Sequence, residues 1–275
     1  MMRTALLAGS ALWILAATPA LADGMDKRLT GLGDVGYYYS AFDEDNTTDD
    51  FDADSFHGAG SALWTWNNGL NVQGDFLFAT NRFETDAGVE QTVDNWAIGG
   101  GVFWRDPKQG AYGAEVHYQS LDVGGDFADG FNAAARGEIY FTKAMTLAGY
   151  AGYSSFDRTA FELDGWQLGL QGTYYANPHL ALRLRGDYGN WDVDTLVDEV
   201  DEWFGGAEVE YLIPGCTTSL YLGGGYGSYD FDVGPDVDYW TIGGGVRIHL
   251  GQDAGPLVTM NRSEPIQTLR TRFAY

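Results

Sequence analysis

Between Trp96 and Trp104 the chain reads Trp-Ala-Ile-Gly-Gly-Gly-Val-Phe-Trp, with an apolar residue or glycine at every second position. Side chains of an extended strand alternate between two faces, so Trp96, Ile98, Gly100, Val102 and Trp104 share one. Eight steps of roughly 3.3 Å, tilted by about 40°, raise a strand by about 20 Å. An apolar face of that height with an aromatic at each rim suits the outer wall of a barrel crossing a bilayer, whose apolar band is about 25 Å tall.

The template recurs. Segments that open on an aromatic and continue by alternation begin at Phe56, Trp96, Phe131, Trp166, Trp203 and Trp240, at spacings of 40, 35, 35, 37 and 37 residues. Eight residues further on stand Trp64, Trp104, Ile139, Tyr174, Tyr211 and Ile248. So regular a period marks a repeated supersecondary unit, and period two rather than 3.6 keeps its apolar residues on one face. Turn-forming groups follow, such as Asn67-Asn68-Gly69 and Ala176-Asn177-Pro178, and lead into return strands near 70–79, 111–121, 145–156, 180–190 and 219–229. With an opening strand near 31–42 and a last one at 240–250 the count is twelve. The predicted fold is all-β, a transmembrane antiparallel up-and-down barrel of about 12 strands within 23–250. An even count puts both ends on one side, where the turns are short; longer, polar connections are expected opposite, at 43–55, 80–92, 122–130, 157–163, 191–200 and 230–237. A six-bladed propeller has a similar period, but two ten-residue strands plus loops leave no room for the four strands of a blade.

Residues 1–22 read as a secretory signal: Arg3, an apolar run to Ala17, and Ala20-Leu21-Ala22 as the cleavage site before Asp23. Loss of Arg3 takes the net charge from −24 to −25, which excludes nucleic acid as a partner. No later run of 18 apolar residues suggests a membrane helix. Cys216 is the one cysteine, so no intrachain disulfide forms.

Local motifs add little chemistry. The acidic stretch from Asp43 to Asp54 lacks the glycine of an EF-hand loop and reads as a solvated loop that collects divalent cations loosely. Gly31-Leu-Gly-Asp-Val-Gly36 matches a dinucleotide fingerprint, but strand-forming tyrosines follow it where a helix is required. His117 and Ser120, the nearest Ser/His pair, have opposite parity in one strand. No catalytic, metal or cofactor site is expected, and no enzymatic activity.

The complementary parity defines the inward face. It carries Asp75, Glu115, His117, Arg136, Glu138, Arg183, Arg185, Asp187, Glu208, Glu210, Arg247 and His249, expected to line a lumen. Facing lipid near the midplane, an Arg or Lys costs about 2–4 kcal/mol, so this register is required. The other face presents Phe56, Trp64, Trp96, Trp104, Phe131, Trp166, Tyr174, Trp203, Tyr211 and Trp240 as aromatics of the membrane interface. Two arrangements of the collar compete: charged rings narrowing an aqueous channel that widens above, or salt bridges from Arg183 and Arg185 to Glu208 and Glu210 closing the interior. The small inward residues, among them Ala97, Gly99, Gly169 and Gly243, favour the channel.

Taken over residues 31–250, this pattern resembles the outer-membrane β-barrel (porin-like) proteins of Gram-negative bacteria. Gly245-Val-Arg-Ile-His-Leu250 resembles their last-strand signal, although 25 residues follow and the chain closes on Phe273-Ala-Tyr275. The resemblance implies a place in the cell outer membrane, contact with its lipids and lipopolysaccharide, insertion by the barrel-assembly machinery, and a passive channel for small hydrophilic solutes. A closed structural barrel with acidic surface loops is the alternative; an outer-membrane lipid hydrolase or protease is a third. Residues 251–275 are expected to form an unstructured periplasmic tail; a further terminal strand is the alternative, which Pro256 and Pro265 would interrupt.

Overall fold

The computed structural model describes residues 29–44, 51–66, 68–85, 88–124, 126–158, 161–193 and 198–266. The expected signal peptide, part of the acidic stretch and the closing Phe273-Ala-Tyr275 lie outside these residues. Twelve strands follow in order: β1 Leu29–Glu44, β2 Phe51–Thr65, β3 Leu70–Thr85, β4 Glu90–Asp106, β5 Gly110–Val123, β6 Asp126–Thr142, β7 Met145–Arg158, β8 Phe161–Asn177, β9 Leu180–Val193, β10 Asp198–Leu212, β11 Thr218–Phe231 and β12 Val237–Leu250. Each pairs antiparallel with its sequence neighbours, and β12 returns to β1 from Gly31↔Leu250 to Glu44↔Val237. The barrel is closed, and its last strand ends at Leu250.

The alternation explains the wall. In β4, Asn95, Ala97 and Phe103 are buried, while Trp96, Ile98, Val102 and Trp104 are exposed. All ten aromatics expected at the interface point outward and are exposed to between 36% and 49%. Upper aromatics meet rings on neighbouring strands: Trp96 with Tyr118 at 5.4 Å, Trp166 with Tyr188 at 5.3 Å and Trp203 with Tyr226 at 5.4 Å. Such tilted pairs contribute beyond their area. The repeat seen in the sequence is thus a repeat of cross-strand ring pairs.

Both described termini lie at one mouth, called here the terminal mouth. Its turns are short. Between β2 and β3, Gly69 has φ 86°, the left-handed conformation that favours glycine, and Asn68 Oδ1 accepts from the Leu70 N–H. At the opposite, far mouth the strands run three to six residues past the upper aromatics, so the connections are shorter than expected. Within the segment 43–55, for example, 43–44 and 51–55 belong to the ladder. The apolar outer face stops there but the alternation does not: Ala53 and Ser55 stay buried while Asp52 and Asp54 stay exposed. Every strand ends at this mouth with an acid at its last or next-to-last position, from Glu44, Asp52, Glu84 and Glu90 round to Asp230 and Asp238. Acid faces acid across the ladder at Asp43↔Asp238, Glu84↔Glu90, Asp157↔Glu162 and Asp201↔Asp230.

The segment after β12 corrects the expectation of an unstructured tail. It turns back at Gly251 (φ 70°) and forms the helix α1, Leu257–Ser263, across the terminal mouth. Leu257 and Met260 are buried against Tyr175, Ala181 and Leu212, and Ile266 against Phe103 and Ala111. The sequence showed Pro256 and Pro265 as interruptions of a strand. They bracket this short helix, whose first turn bonds back to the Pro256 carbonyl.

Candidate functional site

All twelve charged residues expected on the inward face point into the barrel, but they do not form one open ring. Arg136, Glu138, Arg183, Arg185, Asp187, Glu208 and Arg247 border a common cavity of about 190 Å³. Asp75, Glu115, His117, Glu210 and His249 are buried in the side-chain packing around it.

The collar is a network of ion pairs centred on Arg247. Its guanidinium reaches Asp34 Oδ2 at 2.8 Å, and both oxygens of Glu208 at 2.6 and 2.8 Å, and lies 4.0 Å over the Tyr221 ring. Arg183 bonds Glu208 at 2.5 Å and also pairs with Glu210, its neighbour on β10. Register explains this, because Arg183 is directly opposite Glu208. Arg185, expected to join the same acids, pairs with Asp187 on its own strand. Elsewhere, Arg136 lies 3.5 Å from Glu115, His57 2.7 Å from Asp34, and His117 3.3 Å from Asp75. Desolvated charges of this kind persist only when paired, and paired fork-to-fork they fix geometry.

The expectation that small inward residues leave an open space above the collar is also corrected. A Cβ built on Gly36 would lie 2.2 Å from Tyr221 Oη, on Gly243 2.3 Å from the Tyr38 ring, on Gly169 2.0 Å from the Tyr150 ring, and on Gly225 2.4 Å from the Phe204 ring. These glycines are small because a ring from a nearby position lies across them. Towards the far mouth the interior is aromatic: Phe42 stacks on Phe51 at 4.5 Å and on Tyr239 at 5.4 Å, and Tyr239 on Tyr229 at 5.3 Å. Phe156, Trp191 and Val200 form an adjoining buried cluster.

The floor of the cavity is the C-terminal segment. Asn261, Arg262, Glu264 and Pro265 border the space from below. Arg262 donates to the carbonyls of Thr142 at 2.7 Å and Met145 at 2.9 Å and lies 4.5 Å over Tyr140. Glu264 Oε2 is 2.5 Å from His249 Nδ1, Arg105 donates to the Glu264 carbonyl at 2.9 Å, and Gln73 exchanges two hydrogen bonds with the Ile266 backbone. Ser219 Oγ is 3.2 Å from His249 Nε2, so Ser219, His249 and Glu264 have the spacing of a hydrolytic triad. The hydroxyl, however, donates to Glu210, and all four side chains are buried. The imidazole is held on both sides, by Glu264 at Nδ1 and by Ser219 and Glu210 at Nε2. This group acts as a latch between wall and floor.

Several of these participants escaped the sequence reading. Asp34 and Tyr221 have the inward parity of their strands and could have been found by extending the count. Arg105 lies one residue beyond its template, and Arg262 and Glu264 belong to a segment with no strand period to place them.

No family model matches the sequence, and no curated protein matches it. Among solved structures, an outer membrane channel from Pseudomonas putida F1 superposes with a TM-score of 0.63 at 13% identity, covering 80% of this chain and 95% of that one. The β domain of the Bordetella autotransporter BrkA gives 0.54 at 12% identity over 80% and 99% of the two chains. The translocator domain of the autotransporter NalP from Neisseria meningitidis gives 0.53 at 10% over 90% and 97%. Closed antiparallel topology, outward aromatics and these likenesses define the class: the chain has the outer-membrane β-barrel fold. At such identities the likeness extends to the fold alone.

Proposed function

We propose that the protein is exported after loss of residues 1–22, is inserted by the barrel-assembly machinery with its terminal mouth in the periplasm, and serves as a narrow passive channel for small hydrophilic solutes. The C-terminal segment closes the channel in the state described here. One observation carries this reading: a single cavity runs from the aromatic rings of the far mouth, past the Arg183–Glu208–Arg247 network, to a floor made by residues 261–265. A barrel kept only as a structural post gains nothing from a floor that rests on the wall through polar latches. The exposed aromatics support a bilayer boundary at their level, and the acidic far rim above it suits contact with the divalent cations that bridge lipopolysaccharide. Conductance across a planar bilayer tests the reading, with the intact chain and a chain ending at Leu250 compared after each has passed a heat-modifiability gel. Opening steps in the truncated barrel, and rarer ones in the intact barrel, are the expected result. Silence from both, with correctly folded protein, refutes the channel and leaves the closed structural barrel.

A further inference from the structure

Charge inside the barrel is unevenly committed. Every arginine bordering the cavity is engaged, Arg183 with Glu208 and Glu210, Arg185 with Asp187, Arg247 with Asp34 and Glu208, Arg262 with two backbone carbonyls, and Arg136 loosely, 3.5 Å from Glu115 with its Nη1 making no hydrogen bond. Glu138 is not. Its side chain borders the cavity, and among the described residues it makes no hydrogen bond or ion pair. The guanidiniums of Arg105, Arg136 and Arg262 act on it through space. Carboxylates such as Asp75, held by Gln73 and His117 without an arginine, leave acids in excess over arginines in the lumen as a whole.

The remaining lining is aromatic. Tyr38, Phe42, Tyr150, Phe204, Tyr229 and Tyr239 border the same space. The faces of such rings carry partial negative charge and attract cations, most strongly where water is excluded. Phe204 already has the Arg185 guanidinium 5.9 Å from its centre. Outside, acids stand at the far ends of the strands, most of them on the outer face with Arg82 paired to Glu90 among them, and a rim predominantly of one sign of charge raises the local concentration of the opposite sign. The entrance, the rings and the unpaired carboxyl of Glu138 favour the same sign of charge.

We propose that the lumen cavity is a binding site for a small organic cation, an ammonium or guanidinium group on an apolar or aromatic body, with the charge at Glu138 and the body against the rings. This deepens the channel reading and rests on it for the route of entry. The group is bound as it arrives, with no covalent step.

The test uses three matched probes on the whole folded protein in detergent: 2-phenylethylammonium, neutral 2-phenylethanol and anionic 3-phenylpropionate, each followed by calorimetric titration. The ammonium is expected to bind at least tenfold tighter than the anion and several-fold tighter than the alcohol. Glu138→Gln is expected to remove most of the preference over both. Phe204→Leu, which leaves Glu138 in place, is expected to narrow the preference over the alcohol, so a misfolded Glu138 variant does not end the test. Equal binding of the three probes, tighter binding of the anion, or a preference untouched by both substitutions overturns the assignment. Conductance recorded on the same preparation separates the two readings. Opening steps without a cation preference sink the site and spare the channel, whereas a preference in a barrel that never conducts sinks the channel and spares the site.

Discussion

Consider the substitution Met260→Ala. Met260 is 1% exposed and packs with Tyr175, Ala181, Leu212 and Leu257 beneath the cavity floor. Truncation of a buried methionine to alanine costs about 2–5 kcal/mol. None of that cost falls on the ladder, because α1 covers strand ends and pairs with no strand. The loss therefore falls on the docking of the segment. With tenfold in an equilibrium for each ~1.4 kcal/mol, even the lower figure moves the ratio of docked to undocked segment by about 30-fold. The polar latches, Glu264 to His249 and Arg262 to the β6–β7 turn, remain, so the segment stays attached and samples the open state. Single-channel recording is the assay. The expected result is a rise of about 30-fold in open occupancy, or saturation near the level of the chain ending at Leu250, with the same heat-modifiable mobility as the parent. Identical occupancy in parent, Met260→Ala and truncated chains would refute the reasoning, since a floor that gates cannot be loosened without consequence.

Three further expectations concern the wall and collar. Arg247→Met leaves Asp34, Glu208 and Glu210 facing one another without their shared guanidinium, and breaking a buried pair costs about 3–5 kcal/mol; the temperature at which the barrel loses its folded gel mobility should fall clearly, and an unchanged temperature would mean the network contributes nothing net. Gly36→Ala puts a methyl 2.2 Å from Tyr221 Oη and 2.5 Å from His57 Cε1 and should cost about 1–3 kcal/mol in urea unfolding, with partial recovery in Gly36→Ala/Tyr221→Leu; no recovery would locate the strain at His57. Ile98→Arg, at a lipid-facing position between two aromatics, should cost about 2–4 kcal/mol of folding stability in bilayers, whereas Thr92→Arg, beyond the upper aromatics, should cost little.

How much of this was legible in the sequence follows from what kind of rule places each residue. Trp96 to Trp104 set strand length, face and count, because period two and bilayer thickness act on each strand separately. That local rule carried the strands to closure at Leu250. The same rule put Arg183 and Glu208 inside, and neighbouring templates made their pairing readable. It failed at Gly36 and Gly243, where glycine looked like open space. Whether that space is filled depends on Tyr221 and Tyr38 leaning across from other positions, a diagonal relation that no single strand displays. It failed again at 251–266, because Leu257, Met260 and Ile266 gain their burial only once twelve strands have made a mouth to cover. The far connections were overestimated for a simpler reason: the apolar outer face ends before the hydrogen-bonded ladder does.

The rim of paired acids has a mechanical consequence. Residues directly opposite in a ladder have Cβ atoms about 5 Å apart, well inside the Debye length of about 10 Å at 0.1 M salt. Ordinary ionic strength therefore leaves much of the repulsion between Asp43 and Asp238, or between Asp157 and Glu162, in place. At the rim the backbone hydrogen bonds clamp together strands that their side chains drive apart, and the wall is prestressed there and relaxed at the aromatic belt below. Fraying should begin at the far ends and run downwards until the first ring pair, such as Trp96 with Tyr118, arrests it. The barrel is built to loosen from its entrance while its waist stays shut.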